Sequence, residues 1–446
     1  MQLERLRQRF NTSLQSRAPI HLERKEWNRA RIEIHQRDRL RELLAHAIDH
    51  SPFHAHHLSG VDPHTFELDQ LPSLPPMTKA DMMAAFDHVV TDPKLTRNVV
   101  ESHLDTVDDF QRPLHGEYFV VVTGGSSGSR GLFVYDWSGI VDFIGRIIFS
   151  HGPLLPGQRV LAYVGQPGAM HAGCLGTSLL DPTFTEVIHA PVSLPLGEIV
   201  RRLNAAQPNA LSGYPNVLYR LAAEQEAGRL SIRPARISSG SENLRPEAAT
   251  YIESVFGVPV INVYGASEGL VGACLPGHEA FTFASDLAIV EPVDENNRPV
   301  PPGTPSARVL VTNLYNTVQP LIRFAIDDRF VERPAGDQGH FVAKVEGRTY
   351  QVFSYGDTHV HPQIALLPPI EAFGTFDYQV RQTSDGVDID IQEGRDFDEA
   401  AVTRAVRQAL SDAGLPSGRV STRIVERIEV HPQSGKVRRF VPLQTV

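Results

Sequence analysis

The sequence is poor in cysteine, in long apolar runs and in positive charge. It has two cysteines among 446 residues, too few for a disulfide framework or a cysteine zinc site. Its formal net charge of −10 argues against broad binding to nucleic acid or an anionic membrane. No run approaches the ~18 uncharged apolar residues that span a bilayer. The charged opening MQLERLRQRF also lacks the apolar core of a secretion leader. We therefore expect a cytoplasmic protein without nucleic-acid or membrane partners.

The composition is that of a folded chain, with 41% hydrophobic and 21% charged residues. Its length favours two or three domains. From residue 118 to residue 265, short apolar strands alternate with amphipathic helices, which is typical of a parallel α/β sheet covered on both faces. After residue 280, short strands and turns predict a β-rich subdomain. The last hundred residues predict a small α+β domain, so we expect domains at 1–346 and 347–446.

Two local features near the N-terminus call for a structural interpretation. The segment HSPFHAHHLSG (50–60) carries four histidines, but no acidic or cysteine partner lies at a ligand spacing. Because Pro52 is expected to break the helix, we favour an exposed turn over a metal site. Further on, Thr78 is a good helix N-cap, with Asp81 three residues later.

Three clusters of small or polar residues follow predicted strands: TGGSSGSRG (123–131), SSGSE (238–242) and YGASE (264–268). In parallel α/β sheets, ligands collect at the carboxyl ends of strands. The first cluster offers backbone N–H groups and hydroxyls to phosphate, although an ordinary surface loop has the same composition. It lacks the Gly-Lys-Ser/Thr ending of a Walker loop, which disfavours a kinase.

The order and spacing of these clusters resemble the adenylate-forming superfamily, and most closely its phenylacetate–coenzyme A ligase branch. The resemblance extends from SPFH (51–54) and LPPMTKAD (74–81) to SGKVRR (434–439). Members activate a carboxylic acid with ATP and pass the acyl group to coenzyme A. Their large N-terminal domain holds the substrates, and a small mobile C-terminal domain supplies a lysine. The resemblance therefore implies ATP, Mg²⁺ and coenzyme A as cofactors.

The resemblance also implies roles for individual residues. Glu268 would bind Mg²⁺, a hard cation that prefers carboxylates and phosphates, and Asp328 would accept both ribose hydroxyls. Arg348 would meet ribose or phosphate, and Lys436 would bridge the substrate carboxylate and the α-phosphate. The implied ATP contacts are Thr123, Ser126, Ser127, Gly128, Arg130, Ser239, Gly240, Ser241, Glu242, Tyr264, Gly265, Ser267 and Asp328.

Each of these motifs also has a purely structural interpretation. Glu268 is also favoured as an acid in the first turn of a helix by the helix dipole. The pair Asp327–Asp328 is also typical of a solvated turn. The segment SGKVRR (434–439) is equally typical of a basic surface hairpin.

The sequence departs from the family pattern at three positions, and the departure at the hinge leaves the acceptor open. Arg130 replaces a proline, Asp327 replaces a glycine, and Tyr350 replaces the acid or lysine of the interdomain hinge. The acyl group could pass to coenzyme A, to a carrier-protein thiol or to an amine. A nucleotide-binding regulator without turnover is a further alternative.

The acid substrate is expected to be a small aromatic or hydrophobic carboxylic acid. The expectation rests on four candidate pocket residues, each of which could equally be part of the core. They are Tyr135 just past the phosphate loop, Met170 and His171 in GQPGAMHAGCLG (165–176), and Tyr214 at a strand end. A homodimer is left open.

Overall fold

We describe the chain from a computed structural model. It describes residues 2–108, 110–123, 131–150, 160–335, 339–348, 353–356, 358–360, 362–366, 369–370, 378–392, 398–426, 428–429 and 439–443. The chain divides into two compact units, the first ending at Val345 and the second beginning at Glu346. Each unit is described separately below.

The helices of the described residues lie mainly in the first unit, where a 3-10 helix Leu68–Ser73 separates the third and fourth. They are α1 Gln2–Lys25, α2 Arg29–His50, α3 Pro52–His57, α4 Lys79–Ala84, α5 Phe86–Val89, α6 Arg97–Leu104, α7 Trp137–Ser150, α8 Ala172–Ser178, α9 Leu196–Ala206, α10 Pro215–Glu226, α11 Pro246–Phe256, α12 Pro362–Ala365 and α13 Glu399–Asp412. No helix in the described part of the chain is both long enough and apolar enough to cross a membrane.

The strands of the described residues form five sheets. They are β1 Phe119–Val122, β2 Leu132–Tyr135, β3 Val160–Val164, β4 Glu186–His189, β5 Ala210–Gly213, β6 Arg236–Gly240, β7 Val260–Gly265, β8 Val271–Cys274, β9 Phe281–Phe283, β10 Ala288–Val293, β11 Arg308–Asn313, β12 Phe324–Ile326, β13 Asp328–Arg333, β14 Val342–Arg348, β15 Phe353–Tyr355, β16 Thr358–Val360, β17 Tyr378–Gln382, β18 Gly386–Gln392, β19 Arg419–Val425 and β20 Phe440–Val441.

The largest sheet has nine strands in the order β13-β14-β9-β8-β7-β6-β5-β3-β4. Strands β4, β3, β5, β6 and β7 are parallel, and helices α8 to α11 connect them in chain order. Antiparallel strands β8, β9 and β14 continue the sheet. The prediction of an alternating α/β architecture is confirmed for this sheet.

The predicted strand at 118–123 lies in a different sheet. Strand β1 pairs antiparallel with β2, from Phe119 opposite Tyr135 to Val122 opposite Leu132. Its placement in the parallel series was therefore wrong, because a parallel neighbour requires a crossover of a dozen or more residues. The glycine- and serine-rich segment connects the two strands of a hairpin rather than a strand and a helix.

The β-rich subdomain contains the antiparallel sheet β10-β11-β12. Arg323 leads into β12 and is almost fully buried. Its guanidinium forms an ion pair with Glu291 at 3.1 Å and donates to Pro72 O at 3.0 Å. A buried charge is tolerated when it is paired and hydrogen-bonded, so Arg323 fixes the segment that ends at Asp328.

The histidine-rich segment is helical, so the expected exposed turn was wrong. Pro52 is the first residue of α3, and the Ser51 side chain accepts a hydrogen bond from His54 N. Proline is favoured at this position because its missing N–H has no partner within the helix. The predicted N-cap at Thr78 is confirmed, since Thr78 and Asp81 form a reciprocal capping box.

The second unit is a small α+β fold, as the sequence predicted. Its sheet has the order β19-β18-β17-β20, with β17 and β18 antiparallel and the outer pairs parallel. Helix α13 supplies Val402, Val406 and Leu410 to a separate core.

Candidate nucleotide site

The hairpin that carries the predicted phosphate loop is closed by Thr123 and Gly131. Thr123 N donates to Gly131 O at 3.1 Å, and Gly131 N donates to Thr123 Oγ1 at 2.8 Å. A side chain at Gly131 would lie 2.8 Å from the Phe133 ring, so a glycine is required there. Four predicted phosphate contacts, Ser126, Ser127, Gly128 and Arg130, lie outside the described residues.

The end of β1 contacts two other predicted site segments. Val122 N donates to Met170 O at 2.9 Å, and Ser267 Oγ donates to Val122 O at 3.3 Å. The buried Gln111 side chain reinforces this junction, because its Nε2 donates to Val120 O and Ala169 O. The phosphate-loop hairpin, the YGASE turn and the segment at Met170 therefore meet at one place.

The turn Ser267–Gly269 is held by three side chains that we call the carbonyl clamp: Tyr135, Asn313 and Tyr315. Tyr135 Oη donates to Ser267 O at 2.6 Å. Asn313 Nδ2 donates to Glu268 O at 3.0 Å, and Tyr315 Oη donates to Gly269 O at 3.0 Å. Each carbonyl of the turn thus accepts from a different side chain.

The segment that supplies Asn313 and Tyr315 also binds the backbone of the β1–β2 hairpin. Asn316 Nδ2 donates to Val134 O at 2.9 Å, and Gln319 Nε2 donates to Leu132 O at 3.0 Å. Both amide side chains are fully buried. The sequence analysis missed the stretch NLYNTVQ (313–319), although its two asparagines and glutamine directly after an apolar strand were a usable signal.

Tyr264 and Asp328, both predicted nucleotide contacts, are hydrogen-bonded to each other. Tyr264 Oη donates to Asp328 Oδ2 at 2.6 Å. The Tyr264 ring packs edge-on against the rings of Phe283 and Phe330, with centroid distances of 5.3 and 5.7 Å. The strand β7 and the start of β13 thereby place an aromatic face beside a largely buried carboxylate.

The remaining cluster, SSGSE, lies along the same edge of the sheet. The register pairs Ser239 with Gly213 and Gly240 with Val263, so the ends of β5, β6 and β7 are adjacent. Ser241 is exposed with a φ of 68°. Glu242 accepts a long hydrogen bond of 3.5 Å from Asn216 Nδ2.

The four candidate pocket residues have different surroundings. Tyr135 is fully buried and stacks on Phe143 at 5.5 Å. Tyr214 is the N-cap residue of α10, and its hydroxyl accepts a hydrogen bond from Gln166 N at 3.1 Å. Met170 and His171 are half-buried immediately before α8. Their role as pocket walls stays a prediction.

Three further predictions concern the two catalytic residues and the hinge residue near the C-terminal part of the chain. Lys436 and Tyr350 lie outside the described residues, and Arg348 is the last residue of β14. Their roles stay predictions.

The Glu268 turn fits the metal that the sequence implies. Its backbone carbonyl accepts a hydrogen bond from Asn313 Nδ2 at 3.0 Å, and the binding of Mg²⁺ by its side-chain carboxylate stays a prediction. No group of three or more histidines, cysteines or acids that could hold a metal occurs among the residues the structure describes. Mg²⁺ is usually bound by one or two carboxylates together with substrate phosphates and water, so a single Glu268 carboxylate fits this metal.

Sequence comparison finds similarity to one curated protein over part of the chain. No protein-family model matches the chain. The protein CapK of Staphylococcus aureus is 23% identical over 259 residues, or 53% of this chain and 52% of CapK. The match thus spans about half the length of that curated relative.

Solved structures match over a larger part of the chain. A 2-hydroxyisobutyryl-CoA ligase in complex with an acyl-AMP has a TM-score of 0.70 at 16% identity, covering 95% of this chain and 91% of that chain. The amide bond synthetase McbA from Marinactinospora thermotolerans has a TM-score of 0.52 at 16% identity, covering 71% and 67%. The chain therefore has the fold of the adenylate-forming ligases and synthetases, and this prediction of the fold is confirmed.

Proposed function

We propose that this protein is an ATP- and Mg²⁺-dependent acid–thiol ligase. It would convert a carboxylic acid to an acyl adenylate with release of pyrophosphate and then transfer the acyl group to coenzyme A. The observation that carries the proposal is the junction of the β1 end with Ser267, beside the hydrogen-bonded pair Tyr264 and Asp328. These are motifs from distant parts of the sequence, and each is suited to a different portion of one nucleotide.

The residues at this junction have complementary roles toward ATP. The Tyr264 ring offers a flat apolar face to the base. A carboxylate can accept several hydrogen bonds at once, so Asp328 would bind ribose hydroxyls while it orients Tyr264. Thr123 Oγ1 accepts from Gly131 N and can donate its own proton to a phosphate oxygen.

Charge neutralisation is the main requirement of the adenylation step, because one anion attacks another. When bound to Glu268, Mg²⁺ would neutralise charge on the triphosphate. Lys436 would supply a flexible positive charge at the α-phosphate, where the new bond forms. Arg348 would add a second positive charge beside ribose or phosphate.

Coenzyme A is the first candidate acceptor. Solved structures similar to this chain include two CoA ligases, which cover 95% and 72% of it, and an amide bond synthetase, which covers 71%. An aromatic or hydrophobic acid remains our proposal for the substrate, by similarity to the phenylacetate–coenzyme A ligase branch. An amine or a carrier thiol is the second candidate acceptor.

The test is acid-dependent exchange of labelled pyrophosphate into ATP, measured over a broad panel of carboxylic acids. We expect at least one acid to support exchange, and we expect Lys436→Ala to lower it by about 100-fold or more. Lys344→Ala removes a lysine from an exposed position in β14 and serves as the control. ATP binding without exchange for any acid would contradict the proposal and favour a regulator.

The acceptor is tested separately with the acid that supports exchange. We expect coenzyme A to be consumed in proportion to pyrophosphate release. If amines or a carrier thiol are acylated and coenzyme A is not, the second candidate replaces the first.

A further inference from the structure

The turn that carries Glu268 connects β7 and β8, and three side chains donate hydrogen bonds to its carbonyls. The three clamp hydrogen bonds come from two distant segments, β2 with Tyr135 and the end of β11 with Asn313 and Tyr315. Because successive carbonyls are bonded, the peptide planes on both sides of Glu268 have fixed orientations. Resting on the proposed function, we propose that Tyr135, Asn313 and Tyr315 are positioning residues that orient the Glu268 carboxylate toward magnesium-bound ATP.

Steric contacts around Gly269 support this assignment. Gly269 has a φ of 94°, in the left-handed region that favours glycine. A Cβ there would lie 2.1 Å from Asn313 Nδ2 and 2.6 Å from Tyr315 Oη. The clamp therefore packs directly against the backbone of the turn.

The clamp also connects the two elements that would bind the triphosphate. Asn316 and Gln319, which follow the clamp residues in the chain, bind the backbone of β2, the strand that leaves the predicted phosphate loop. Asn313 Oδ1 accepts from Tyr315 N and Asn316 N, both at 3.1 Å. One short segment thus fixes the metal-binding turn and the phosphate-loop hairpin relative to each other.

The experiment compares nucleotide binding by the full-length wild-type protein, Tyr135→Phe, Tyr315→Phe and the double variant. Calorimetry measures ATP affinity at a series of Mg²⁺ concentrations and in the presence of a chelator. We expect the double variant to need about tenfold more Mg²⁺ for half-maximal binding, which corresponds to roughly 1.4 kcal/mol. In the presence of the chelator, metal-free ATP should bind the variants and the wild type equally, because the clamp acts through the metal-binding carboxylate.

Two reference variants define the scale of the effect. Glu268→Gln removes the carboxylate charge and should give the largest loss of Mg²⁺ dependence. Tyr118→Phe removes a hydroxyl that donates to Asp92 at 2.7 Å, away from the turn, and should leave Mg²⁺ dependence unchanged. Thermal unfolding of every variant reports the purely structural effect of each lost hydroxyl.

The outcomes separate the inference from the proposed function. If wild-type ATP binding does not depend on Mg²⁺, both the proposed function and the positioning role are overturned. If the wild type shows the dependence and the clamp variants lose only thermal stability, the positioning role alone is overturned. If the double variant does not fold, the single Tyr315→Phe variant decides, because that side chain is only partly buried.

Discussion

Tyr264 and Asp328 are two predicted nucleotide contacts that a hydrogen bond joins. Their side chains come from strands β7 and β13, and a 2.6 Å hydrogen bond joins them. Hydrogen bonds to charged groups are stronger than those between neutral groups. The pair therefore holds an aromatic ring and a carboxylate in a defined relation before any ligand arrives.

At the residue scale, the Asp328→Asn substitution tests recognition of ribose. Asparagine keeps the size and one acceptor oxygen but loses the charge, so we expect the KM for ATP to rise roughly 10- to 100-fold. The measurement is acid-dependent pyrophosphate release at varied ATP. We also expect the variant to lose the wild-type preference for ATP over 2′,3′-dideoxy-ATP.

The neighbouring Asp327→Asn substitution is the matched control for this prediction. Asp327 is exposed, whereas Asp328 is 8% exposed, and both changes remove one negative charge. An equal rise in KM for both variants would indicate a general effect of charge. An unchanged preference for ATP in Asp328→Asn would show that Asp328 does not bind the ribose.

At the element scale, local signals were sufficient for many of the helices and parallel strands, but not for α3. Helices such as α9 and α11 have regular apolar faces, and strands such as β6 are short apolar runs between polar turns. The partner of β1 could not be predicted in the same way. Strand pairing depends on distant segments, and both fully buried strands of the hairpin lack an alternating pattern that would reveal a partner.

Contacts between side chains and the backbone were also beyond the sequence. The motifs that carry Glu268 and Asp328 were recognised because they resemble motifs of a known family. Asn313, Tyr315 and Gln319 have no periodicity, and their importance arises only from the carbonyls that they reach. Amide side chains directly after an apolar strand are a signal in the sequence, but the carbonyls that they contact are visible only in the folded chain.

Helix α3 carries a buried histidine that makes the stability of the folded chain depend on pH. His54 is fully buried, and its Nε2 donates to Pro320 O at 2.9 Å. The pKa of His54 is lowered from an ordinary value of 6.5 to about 4, mainly by burial and also by the neighbouring His57, while the hydrogen bond to Pro320 raises it in part. The unfolded state thus binds a proton more readily than the folded state, and stability is lost as the pH falls below 6.5 toward 4.

We expect His54 to account for about 2 kcal/mol of the stability lost between roughly pH 7 and pH 5. The variant His54→Gln can retain the donor without titrating, so its unfolding free energy should depend less steeply on pH. Urea unfolding across this range provides the measurement. His64→Gln, at an exposed position, is the control and should keep the wild-type slope; an unchanged slope for His54→Gln would contradict the prediction.

At the scale of the whole molecule, the two units have separate cores. The first unit has one core around strands β1 and β2 and another beneath α2. The core of the second unit is built from β17, β18 and α13. We propose that the first unit binds ATP and that the second supplies Lys436. Each of the two units has its own core.

The Leu410→Ala substitution tests this organisation. Leu410 is fully buried in the second core, so truncation should cost about 2–5 kcal/mol and lower one calorimetric transition by on the order of 10 °C or more. The other transition should not move. Above the lowered transition, we expect ATP binding to persist while acid-dependent pyrophosphate exchange is lost. The exposed Gln408→Ala on the same helix should change neither property, and a single transition that shifts as a whole would show that the units unfold together.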